Sequence, residues 1–410
     1  MNSDRYILLK SVFAEKNYVD FLDIGSVDSM DNCKSGYICN SINEVNEIYP
    51  QIKISFEHVQ TDVFLPTGIK SNNHFMEQAL EILSKTNVHF VNKAEPEFDD
   101  LFKDLKQHFN GAGIIESDDK GRSFGCFEIR LIHDKKYYQK NGLKDPHTSD
   151  SQMFLYQHIT IERLEEMNKN SWGSLIGNCI ENLAVKMENY QSRLLLTEWP
   201  FLKTDGSPLD SDYTFAISVD SDEDEDKEYA AITISLDGRI KDIRYLDFEE
   251  DYVLIESLSL DPVHTEYAVM DSSGNINIVK ETGLFCIPNV DEIRQKWNDN
   301  LSADLRSDGF RDLEGRNKYL SECVDINYFC AGDSNLYYYV GYVGAGTKLK
   351  FPRAANIRLV QTYGDSKLFL NDLMTMMSVP YVRHNQCTVQ PFPLKNLREW
   401  VESNDILRME

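Results

Sequence analysis

No uninterrupted apolar run in this sequence approaches the roughly 18 residues that a membrane-crossing helix needs. The opening stretch MNSDRYILLKSVFAEKN is charged throughout and holds no apolar core of the signal-peptide kind, so a cytoplasmic location is expected. The cysteines at 33, 39, 126, 179, 286, 323, 330 and 387 form no C-x-x-C pair. Cys33 and Cys39 stand closest, without a histidine at metal spacing, and reduced thiols are the expected state. No G-x-S-x-G, H-E-x-x-H or Walker A pattern is present, which removes the common hydrolase and nucleotide-loop readings. Gly341, Gly344 and Gly346 make a poor dinucleotide loop. The acidic run Asp220–Glu228 fails as a calcium loop. Glu225 stands where glycine is needed and Ala231 where the closing glutamate belongs, so a solvated hairpin tip is expected.

Cation is scarce as well. The 410 residues carry 42 Lys and Arg against 67 Asp and Glu, a formal net charge of −25. Such a balance disfavours phosphate binding by the chain as a whole. The charge is unevenly spread, however. Residues 341–410 hold nine Lys/Arg and six Asp/Glu, so the other 340 residues carry −28. A basic tail on an acidic body can still hold a strand, and the acidic body could face a basic partner. Apolar residues make up 41% and aromatics 11%, ordinary for a chain that buries its cores, and the length predicts two domains.

Periodicity predicts an α/β first half. Tyr6–Lys10 reads as a strand, Asn73–Lys85 as a helix, Val88–Val91 as a strand, Glu97–Phe109 as a helix and Ala112–Ile115 as a strand. Phe154–Ile159 reads as a short strand, with helices opening at Thr160 and spanning Ser174–Tyr190. A loop at Lys203–Asp212 marks the boundary between a domain of residues 1–200 and one of 201–410. Strands then dominate: Tyr213–Val219, Tyr229–Leu236, a tight Asp237-Gly238 turn into Ile240–Leu246, and a hairpin turning at Ser273-Gly274-Asn275. A helix is predicted for Val290–Leu305, strands for Asn335–Tyr342 and Ala355–Gln361, and helices for Lys367–Met377 and Leu394–Ser403.

Two groups of residues carry chemistry. Gln157 ends a strand, and Lys186 follows Asn178 and Val185 on a helix. Further on come Gly346-Thr347, Phe351-Pro352, Tyr381-Val-Arg383 and Pro391-Phe-Pro393, spread over about 70 residues between strands and helices in a fixed order. In these features the chain resembles the MID and PIWI domains of Argonautes, with Met187-Glu188-Asn189 in place of the usual L-G-G. The resemblance implies a parallel-sheet MID-like domain followed by an RNase-H-like PIWI domain. Gln157 and Lys186 would hold the 5′ phosphate of a guide strand, chemically sensible for an amide donor beside an ammonium. A Mg²⁺ at that phosphate is the one cofactor the resemblance would bring. The tyrosine and lysine that precede the glutamine in the family have no unique match among Lys135, Lys136 and Lys144.

The PIWI positions that cut in active relatives fall on Asp220, Asp271 and Arg398. Paired Mg²⁺ ions need several carboxylates, and a guanidinium opposes them. An incomplete catalytic set is therefore expected, with Thr347, Lys348, Arg383, Lys395 and Arg398 supplying contacts to a bound strand. At 410 residues the chain resembles a short prokaryotic Argonaute of the inactive type. That implies a guide RNA or DNA, a complementary target strand, and a separate effector subunit switched on in defence. Two other readings stay open: a Mg²⁺-dependent nuclease using Asp220 and Asp271, and an interaction scaffold that binds no nucleic acid.

Overall fold

In the computed structural model, residues 4–8, 44–49, 56–60, 62–64, 72–118, 126–147, 154–196, 203, 206–219, 227–286, 324–331, 335–342, 355–378 and 393–408 are described. They build two sheets. The smaller is parallel, with strands β4 (Val88–Asn92), β5 (Cys126–Ile132) and β6 (Phe154–Thr160) side by side in that order. Helix α2 (Asp99–Gly111) connects β4 to β5, and α3 (Lys135–Asn141) connects β5 to β6, the crossovers that parallel strands require. The short α4 (Ile161–Glu166) and the 20-residue α5 (Trp172–Gln191) follow, and α1 (Asn72–Ser84) packs on α5.

Strand β5 is buried along its whole length, as the central strand of a covered parallel sheet must be. Phe127, Ile129 and Leu131 fill one face, each contributing about 1.5–3 kcal/mol by leaving water. Glu128 and Arg130 stand on the other face and neutralise each other at 2.6 Å. Sequence reasoning gave no strand here, because two charges interrupt the apolar pattern. It did place one at Ala112–Ile115. That segment instead ends α2: the Ala112 and Ile114 amides bond back to Phe109, and no strand forms. Gly113, at φ 96°, takes a backbone angle that a side chain would resist.

The larger sheet has eleven strands, and every pairing described in it is antiparallel. Its members are β1 (Asp4–Leu8), β2 (Phe56–Gln60), β3 (Asp62–Phe64), β7 (Tyr213–Val219), β8 (Glu228–Ile234), β9 (Ile240–Tyr245), β10 (Thr265–Asp271), β11 (Ile276–Cys286), β12 (Val324–Ala331), β13 (Asn335–Tyr342) and β14 (Ala355–Thr362). The main path runs β3-β12-β13-β14-β11-β10-β7-β8-β9, with β1 joined to β11 and β2. The N-terminal strands thus leave the α/β half and complete the second sheet. Both turns read from the sequence are present, with Gly238 at φ 78° and Gly274 at φ 83°. The segment Val290–Leu305, predicted helical, lies outside the described residues.

Helix α6 (Tyr252–Ser259) lays Leu254, Ile255 and Leu258 on one face of this sheet, against Ala216, Ala231, Ala268 and Ile278. The other face carries α7 (Leu370–Ser378) and α8 (Pro393–Arg408). Leu373, Met374, Met377, Leu394 and Leu397 there join one continuous core with Leu183 and Val185 of α5. Polar contacts reinforce this join. The Glu188 carboxylate, fully buried on α5, accepts the Leu195 and Leu196 amides and the Asn396 side-chain amide at 2.9 Å. Asn189 donates to the Asn396 carbonyl at 2.8 Å. The predicted boundary loop is pinned too: Lys203 pairs with Asp210, while buried Asp372 of α7 accepts the Asp210 amide and the Tyr213 hydroxyl. Among the described residues no helix is long and apolar enough to cross a membrane.

Candidate nucleic-acid interface

Strand β6 is an edge strand, so half of its backbone groups lack a ladder partner. Its Tyr156 carbonyl finds one in Lys186, whose ammonium donates at 2.6 Å from α5. The same ammonium donates to Gln157 Oε1 at 3.4 Å, and the Gln157 amide turns to the His158 carbonyl, also at 3.4 Å. Two residues 29 positions apart, which the resemblance to MID domains paired, therefore meet.

Helix α8 closes the other side. It brings up buried Glu399, with Glu402 one turn on, and Lys395, which pairs with Glu399 at 3.1 Å. Burial lowers the Lys186 pKa, and Glu399 and Glu402 act against that. Loss of solvent and the neighbouring Glu399 raise the Glu402 pKa. Cys179, one face of α5 along from Lys186, is pushed up to about 12 by burial and is an inert thiol. The result is a mixed-charge seam of Lys186, Lys395, Glu399 and Glu402, not a purely cationic pocket. Arg398 lies exposed on the same helix. The two glutamates and the Tyr156 carbonyl escaped sequence reasoning. The carbonyl has no residue signature, and the glutamates lie more than 200 positions from Lys186 in the chain.

The other face of β5 and β6 is polar as well. Arg130 stacks over the Tyr156 ring at 3.7 Å, and His158 stands 5.1 Å from His147, ring to ring. Burial, then the nearby His147, Lys186 and Arg130, push His158 down to about 3, so it stays neutral. At the carboxyl ends of the strands, His133 lies between Glu162 on Nδ1 (2.7 Å) and Glu95 on Nε2 (2.8 Å) and stacks on Tyr137. Glu95, His133 and Glu162 follow β4, β5 and β6 respectively, so this triad ties together the three loops where open α/β sheets usually receive ligands.

The expected carboxylate pair fares differently. Asp271 caps its own turn: its carboxylate accepts the Ser273 and Asn275 amides and the Asn275 side chain, all within 2.9 Å. It pairs in register with Tyr213, at the start of β7. Asp220 lies outside the described residues. Among the described residues no group of three His, Cys, Asp or Glu could hold a metal ion. Thr347, Lys348 and Arg383 also lie outside the described residues.

The fold overlaps, weakly, those of solved Argonautes. Marinitoga piezophila Argonaute, solved in complex with 5′ OH guide RNA and target DNA, aligns at 10% identity and a TM-score of 0.39, over 87% of this chain and 61% of that one. The C-terminal lobe of a budding yeast Argonaute aligns at 8% identity and a TM-score of 0.34, over 86% of this chain and 90% of the lobe. The chain thus spans about three-fifths of the Marinitoga protein's length. No protein-family model and no curated protein matches the sequence.

Proposed function

We propose that this chain binds the end of a guide strand at the seam of β6, α5 and α8 and presents the strand for pairing, as an Argonaute-like MID–PIWI module. The observation that carries the reading is the meeting of Gln157 and Lys186. In this reading the backbone contacts position the guide, base pairing supplies sequence, and the protein senses duplex shape. Lys395 and Arg398 of α8 extend the contact along the strand. Target pairing would then act through a separate effector protein, in defence against foreign nucleic acid. Asp271, committed to its turn, supports a module that recognises without cutting.

The test is binding of labelled single strands of RNA and DNA, each with 5′-phosphate and 5′-hydroxyl ends, to the purified full chain. Binding of at least one of the four, weakened about tenfold (~1.4 kcal/mol) by Lys186→Met and by Gln157→Leu, is expected. No binding of any would leave the scaffold reading, which the glutamates facing Lys186 favour. Mg²⁺-dependent cleavage lost in Asp220→Ala would establish a nuclease instead.

A further inference from the structure

Helix α6 is amphipathic on two sides. Leu254, Ile255 and Leu258 meet the sheet, yet Val253 and Leu260, seven positions apart and so on one helix face, point to solvent. Phe248 and Tyr252 before them and Val263 after them are exposed too, Val263 at 82% and Phe248 at 63%. Isolated exposed apolar residues are common on any protein. Five large ones along 16 residues, over one short helix and its flanks, make a patch of the kind that marks an interaction surface.

The charge around the patch has one sign. Residues 245–279 contain eight Asp and Glu and no Lys or Arg. Some of these carboxylates are engaged: Asp251 with Arg244, Asp261 with His264 and Lys280, and Glu256 with the Tyr363 hydroxyl. Glu249 and Glu250, exposed between Phe248 and Tyr252, have no side-chain partner among the described residues. A second copy of this acidic patch would be repelled, and so would a nucleic-acid backbone. Apolar surface rimmed by unpaired carboxylate fits a partner with the opposite rim.

We infer that the outer face of α6 docks a basic amphipathic helix of another protein, whose apolar stripe covers Val253 and Leu260 while its Lys or Arg residues meet Glu249 and Glu250. Helix against helix is the natural geometry, since apolar residues seven apart lie along one face of a helix, the seam on which a second helix packs. The site lies on the opposite face of the sheet from α8, so a docked partner leaves the Lys186 seam open. The inference rests on the proposed function only for the idea of an effector partner, and its test contains no nucleic acid, so either can fail alone.

The probe is a labelled synthetic helix of leucine and lysine, about 14 residues and ~21 Å long, titrated into the full chain at moderate salt. Two controls share its length: one with glutamate in place of lysine, and one with the same residues scrambled to destroy the apolar stripe. The leucine–lysine helix should bind. Val253→Ser with Leu260→Ser should weaken it about tenfold, as should Glu249→Lys with Glu250→Lys, while Ile115→Ser, an exposed apolar residue elsewhere, should not. All three variants should keep the parent's circular dichroism spectrum. Equal binding by the Val253/Leu260 variant, by the scrambled peptide, or by the glutamate peptide would overturn the inference. So would a leucine–lysine helix that does not bind.

Discussion

A histidine held by two carboxylates and a histidine held by none give the parallel-sheet half opposite responses to pH. Burial alone would lower the His133 pKa, but its bonds to Glu162 and Glu95 outweigh burial and raise it. The stabilisation is therefore complete below the unfolded value near 6.5 and is lost as pH rises through the higher folded value. His158 is depressed to about 3, so it costs stability as pH falls from 6.5 toward 3. Urea midpoints should accordingly peak near pH 6–7. His133→Gln should flatten the alkaline limb and leave the acid limb in place. An unchanged alkaline slope in that variant would mean that the triad does not titrate as described. Asp271 belongs at this scale as well. Its carboxylate satisfies three N–H groups of one turn, so Asp271→Ala should cost about 1–2 kcal/mol of stability by denaturation. It should leave strand binding unchanged.

Among the elements, α8 fastens the two sheets together, and its fastening is polar where it is most buried. Glu188 has no solvent exposure and receives two backbone amides and the Asn396 side chain. Asn396→Ala leaves part of that carboxylate unpaired and should cost about 1–3 kcal/mol, read as a lowered urea midpoint. Leu143→Ala, at an exposed site, should change the midpoint little. The helices α1, α2, α5, α7 and α8 and the hairpins at Gly238 and Gly274 were legible in the sequence, because apolar period and turn residues are local signals. Strand β5 was not, since Glu128 and Arg130 look polar in sequence and become a neutral pair only when folded. Helix α6 is only eight residues long and carries apolar residues on both sides, so it shows no clean periodicity. The pairing of β1 with β11 was invisible for another reason: Leu8 and Phe285 are partners only in space. Within the candidate site, Gln157 and Lys186 could be named only through the resemblance to MID domains, whereas the glutamates around them come from the far end of the chain.

Taken whole, the molecule sets a small cationic cluster into a strongly anionic body. With Lys186, Lys395 and Arg398 as the described cations near the seam, about three phosphates can be neutralised. The salt dependence for a single strand should then be shallow, with log K against log salt sloping near −2. Fluorescence titrations between 50 and 300 mM salt, read in order-of-magnitude steps, would measure it. A slope beyond about −5 would show that residues outside this cluster carry the binding. In the proposed reading, the chain's net charge of −25 would also suppress loose attachment to bulk nucleic acid, so that a weak anchor can remain selective.

The threading of the first strands into the second sheet bears on how the chain is made. β1 and β2 can pair with each other early, from Asp4↔Gln60 to Leu8↔Phe56. The strand that receives them, through Leu8↔Phe285, leaves the ribosome 277 residues after Leu8. At roughly 5–20 residues per second, that leaves an open strand edge waiting on the order of 15–55 seconds during every round of synthesis. Nascent chains on one messenger are neighbours, and an open edge is a template for a neighbour's edge. Yield in cells should therefore depend on translation speed and on chaperones that hold the first 64 residues, more than on the stability of the finished protein.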